Sequence, residues 1–82
     1  MPPPPSRSSE RRALARAVRV LRAERDLSQE EVERAGGLGV NAVGRAERGT
    51  SSPSFDTLVG IAAGLGVTLS ELIAEVERQL RR

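Results

Sequence analysis

Apolar residues recur along this chain at helical spacing, in five runs separated by Gly, Pro and Ser punctuation. Leu14, Ala17, Val18 and Leu21 share one face of a segment that begins near Ser8 or Ser9 and reaches about Arg25. Val32 anchors a shorter run over residues 28–35, where Ser28 and Glu31 have the spacing of a capping box. Val43 and Ala46 define a third run, residues 40–48, with Gly39 as its predicted N-cap and Gly49 at its end. Pro53 breaks the chain and Ser54 caps a fourth run, residues 55–65, with Leu58, Ile61, Ala62 and Leu65 on its buried side. Gly66 ends it, Val67 packs back, and Thr68 with Glu71 forms a second capping box ahead of Leu69, Leu72 and Ile73. No segment alternates with a strand period, so the pattern predicts an all-α chain.

The second and third runs meet at Gly36-Gly37. Gly37 supplies the positive φ that a sharp inter-helix corner needs, and Leu38 then turns into the core. Two short helices joined by such a corner form a helix-turn-helix unit. On the third helix Val43 and Ala46 face inward, leaving Val40, Asn41, Gly44 and Arg45 outward, with Asn41 and Arg45 on one stripe.

At these residues the chain resembles the Cro/cI-type (XRE-like) helix-turn-helix DNA-binding family. The resemblance rests on Leu27-Ser28-Gln29-Glu30-Glu31-Val32, Gly37, Val43 and Glu47-Arg48-Gly49. It continues through Pro53-Ser54-Phe55-Asp56-Thr57-Leu58, Ile61-Ala62 and residues 65–73, and upstream through Leu14, Val18, Leu21 and Arg22. It implies a five-helix, lambda-repressor-like domain over residues 10–74 that regulates transcription by binding double-stranded DNA. Base contacts then fall to Val40, Asn41, Ala42, Gly44 and Arg45. Asn suits adenine N6/N7, Arg suits guanine O6/N7, and the apolar residues suit a thymine methyl. Phosphate contacts fall to Gln29, at a helix N-terminus, and to Arg48, Thr50, Ser51 and Ser52. The same resemblance pairs Arg22 with Glu47 in a salt bridge.

Four residues depart from the family pattern. Glu33 stands where a small residue is usual, Gly36 where a larger apolar or small polar one is common, and Gly39 where Ser or Thr caps. Gly44 lies inside the recognition helix and weakens it by about 1 kcal/mol relative to Ala. Gly44 thus predicts a less rigid reading helix. Arg12, Arg16 and Arg19 line a second face of the first helix, as phosphate contacts or as a solvated charged face.

Beyond residue 74 the apolar positions continue at Val76 and Leu80. This predicts that residues 75–82 extend the fifth helix onto a twin across a two-fold axis. The expected homodimer interface is Phe55, Ile73, Val76 and Leu80. The Pro- and Ser-rich residues 1–9 are expected to form a disordered tail.

Eighty-two residues make one small domain. Net charge is only +2, yet residues 1–25 hold seven Arg against two Glu, while residues 26–82 hold six Arg against nine acids. The basic half suits a polyanion. With no Cys, His, Tyr or Lys, the chain lacks the usual nucleophiles and bases near neutrality, so no enzyme, cofactor or metal site is expected. A single Phe disfavours stacking on single strands or RNA. No run is long enough to span a membrane, and the expectation is a cytoplasmic protein, nucleoid-associated when bound to DNA. The competing function is a protein-interaction module, such as an antitoxin or adaptor domain, built on the same bundle.

Overall fold

A computed structural model describes residues 7–81, and the expectations for residues 1–6 and 82 lie outside the described residues. Five helices follow in chain order: α1 (Ser8–Glu24), α2 (Gln29–Ala35), α3 (Ala42–Arg48), α4 (Phe55–Leu65) and α5 (Leu69–Leu80). Ser8 and Ser9 are already helical, so the expected tail ends earlier than residue 9.

Local chemistry sets most of the boundaries. Ser28 Oγ accepts the Glu31 N–H at 3.0 Å while Glu31 Oε1 accepts the Ser28 N–H at 2.8 Å. Thr68 and Glu71 repeat the exchange at 3.0 and 2.7 Å. Ser54 caps α4 through the Thr57 N–H at 3.1 Å. These bonds satisfy N–H groups that a helix start leaves without intrahelical partners. The α2–α3 corner closes as a Schellman turn. Gly37 sits at φ 66°, and the Gly37 and Leu38 N–H groups return to the carbonyls of Arg34 and Glu33.

The core joins all five helices, with Val18, Val32, Val43, Ile61, Leu65 and Leu72 wholly buried. A glycine seam lets α2 and α4 approach closely. A Cβ on Gly36 would land on the Gly60 carbonyl oxygen, and one on Gly64 would land on the Val32 carbonyl oxygen. This explains Gly36, where the family pattern has a larger residue. Among the described residues, no single helix is long and apolar enough to cross a membrane.

The expectation for the end of the fifth helix needs correction here. Val76 is buried in the chain's own core, and Glu75 and Gln79 beside it are buried too. The end of α5 therefore packs within the same bundle, where the Arg16 guanidinium reaches the Gln79 carbonyl at 3.4 Å. The seventeen residues of α1 are long enough to accompany α5 to its end, which the apolar pattern of α5 alone does not reveal. Val76 is thus largely taken up by this chain's own core and reaches the surface only as part of the lining of an apolar hollow beside Ile73. Phe55, by contrast, is exposed and not part of the monomer core.

Candidate nucleic-acid interface

The third helix differs from its sequence expectation at its start. Its N-cap is Asn41, not Gly39, and Asn41 is left-handed at φ 68°. A left-handed residue cannot continue a right-handed helix, so Val40 and Asn41 belong to the turn and the helix begins at Ala42. The turn is closed by the Ala42 N–H on the Gly39 carbonyl at 3.3 Å. Val40 and Asn41 therefore lie outside the helical face, while Val43 and Ala46 stay inward and Arg45 outward. Ala42 is only 7% exposed, so it packs inward and is removed from the expected base contacts.

What remains outward is a short edge. Val40 is 79% exposed at its tip, Asn41 and Arg45 are exposed, and Gly44 is half-buried between α3 and α2. Arg45 folds back to the Val40 carbonyl at 3.4 Å and lines a polar hollow with Ser51, Ser52, Ser54 and Thr57. Arg48, the last residue of α3, and Thr50, Ser51 and Ser52 on the following turn are exposed. Arg12, also exposed, passes beside that turn, since a Cβ on Gly49 would lie 3.4 Å from its Cα. The edge therefore combines guanidinium groups, hydroxyls and one amide on a ridge.

Behind the ridge, Glu47 is the hub. Arg22 grips it bidentately, Nε to Oε2 at 2.8 Å and a terminal nitrogen to Oε1 at 3.0 Å. The Glu47 carboxylate raises the Arg22 pKa above its ordinary value, partly opposed by burial. Gln29, at the first position of α2, donates its amide to Glu47 Oε1 at 3.1 Å. The expected phosphate ligand is thus held at the α2–α3 corner beside Gly44. Arg19, exposed as the charged-face reading expects, also donates to the Glu47 backbone carbonyl near the end of α3.

Sequence reasoning also missed Glu33. Its carboxylate is buried, and Oε2 accepts the Val43 N–H at 3.0 Å. The available signal was spacing: Gln29 and Glu33 are four apart on α2 and therefore share the face that meets α3. Of the expected dimer contacts, Phe55, Ile73 and Leu80 are exposed. Ile73 borders an apolar hollow with Leu14, Pro53 and Leu58. Among the described residues, no cluster of three His, Cys, Asp or Glu is placed to hold a metal ion.

Five helices with a tight second-to-third corner and an exposed third helix define a helix-turn-helix domain of the lambda-repressor-like type. The helix-turn-helix family profile matches residues 18–72, and the chain belongs to that family, of the Cro/cI type. It is 41% identical over 63 residues to the cryptic phage CTXphi transcriptional repressor RstR of Vibrio cholerae, covering 77% of this chain and 57% of that protein. It is 34% identical over 64 residues to the HTH-type transcriptional regulator DdrOP3 of Deinococcus deserti, covering 78% of this chain and 50% of that one. The chain thus spans about half the length of these relatives. Its fold matches crystal structures of the clp gene regulator ClgR from Corynebacterium glutamicum. One has a TM-score of 0.78 at 24% identity, over 96% of this chain and 81% of that one. A second has a TM-score of 0.73 at 25% identity, over 84% and 90%.

Proposed function

We propose that this chain is a sequence-specific double-stranded DNA-binding transcriptional regulator, acting in the cytoplasm as a repressor or autoregulator. The observation that carries the reading is the exposed edge of α3. Val43 and Ala46 are buried under it, while Asn41 and Arg45 stand free of the core. An amide and a guanidinium on a ridge one helix wide suit purine edges in the major groove. Val40 and Gly44 complete the base-reading set. Arg48, Thr50, Ser51 and Ser52, with Gln29 at the start of α2, hold the backbone and fix register.

The regulator acts as a homodimer, setting two copies of α3 into successive grooves about 34 Å apart on a near-palindromic site. Exposed Phe55, Ile73 and Leu80 are its candidate contacts. Selection of bound duplexes from a random pool tests the whole reading. The expected result is an enriched two-fold site whose affinity falls steeply with salt. A pool that enriches no sequence would overturn DNA reading and favour the protein-interaction alternative.

A further inference from the structure

We propose that Glu33 is the N-terminal cap of α3, supplied from α2, and that it positions the reading helix in concert with Arg19 at the opposite end. Its functional half rests on the DNA-reading role proposed above. Helix α3 is seven residues long and contains Gly44, so it has little helicity of its own. Its N-cap residue, Asn41, makes no side-chain cap bond, because a left-handed backbone does not present the side chain to the first turn as an extended N-cap does. The Val43 N–H therefore needs an acceptor from elsewhere, in a place where Val43 is wholly buried. Glu33 Oε2 supplies it at 3.0 Å, from a residue only 9% exposed. A carboxylate lies at the positive end of the helix, and the Arg19 guanidinium lies on the Glu47 carbonyl at the negative end. Both charges come from other helices and match the helix dipole. The arrangement also leaves the Asn41 side chain exposed at the reading tip, freed from capping.

The test compares Glu33→Ala and Glu33→Gln in the full chain by amide hydrogen exchange and by affinity for a duplex selected with the unaltered protein. In Glu33→Ala the Val43 amide should exchange at least about tenfold faster relative to the Val18 and Leu72 amides, and affinity should drop about tenfold. Glu33→Gln keeps a carbonyl acceptor without the charge and should restore most of both. Unchanged Val43 protection in Glu33→Ala, equal loss across all core amides, or a Gln variant no better than Ala would overturn the cap. A Val43 response in a chain that selects no duplex would leave the cap standing and remove only its DNA-reading role.

Discussion

The Arg22–Glu47 bridge should be worth more than its surface appearance suggests, and a double-mutant cycle measures it. The Glu47 side chain is 6% exposed and that of Arg22 is 24% exposed. Arg22→Met keeps much of the side-chain stem but deletes two charge-assisted bonds to the carboxylate and one, at 3.0 Å, to the Leu27 carbonyl. Glu47 is then a buried anion whose remaining side-chain partner is the Gln29 amide. Stranding one partner of a buried pair costs about 3–5 kcal/mol, and the partial exposure of Arg22 and the surviving Gln29 bond point to the lower end, about 3 kcal/mol. For a domain of this size that lowers Tm by about 12–24 °C. Glu47→Gln removes the charge, but Arg22 keeps Leu27 and access to water, so it should cost about 1–2 kcal/mol. The double variant should cost about 2 kcal/mol less than the sum of the two. Urea unfolding followed by circular dichroism at the four corners of the cycle reads this coupling. Additivity within about 0.5 kcal/mol would show that the two side chains do not stabilise α3 through each other.

Other expectations follow from the glycines and the caps. Gly44→Ala should stabilise the domain by about 1 kcal/mol, since its Cβ meets Gln29 Oε1 at an ordinary 3.5 Å. Gly64→Ala should destabilise it by about 1–3 kcal/mol, because the Cβ runs into the α2 backbone at Val32. Thermal unfolding of the two variants should therefore shift in opposite directions, and an unchanged or raised Tm in Gly64→Ala would refute the seam. Glu31 and Glu71 are held below the ordinary carboxylate range, chiefly by the backbone N–H of Ser28 and Thr68 and then by their hydroxyls. A depressed folded pKa contributes stability above the unfolded value, which is lost as pH falls through the folded one. The Ser28 and Thr68 amide resonances should be flat near neutrality and move on acidification below the usual glutamate range. Amides that stay fixed through that acid range would contradict the boxes.

How much of this was legible in the sequence depended on the range of the interaction. The capping boxes at Ser28 and Thr68, the Ser54 cap and the glycine stop at Gly37 are contacts within a few residues, so spacing alone reveals them. Arg22 and Glu47 are twenty-five positions apart, and only the family resemblance joined them. Gly36, Gly60 and Gly64 gain their meaning across two helices, so the sequence offered Gly36 only as an oddity. Asn41 misled because Gly39 and Asn41 both suit an N-cap, and spacing alone does not say which of them ends the turn; here the left-handed Asn41 moves the start to Ala42. Val76 misled because periodicity reports which face is apolar and not which neighbour covers it. Glu33 was visible as a misfit, but its use required knowing that α3 lacks a cap of its own.

The central claim is that the exposed edge of α3 reads bases. Its most direct test is the affinity of Arg45→Ala for a selected duplex and for a scrambled one of equal length at the same salt. Loss of a base contact should weaken the selected complex by about 1–3 kcal/mol, relax one base position, and leave the scrambled complex less affected. An equal loss on both duplexes would place Arg45 on phosphate and contradict base reading by this residue.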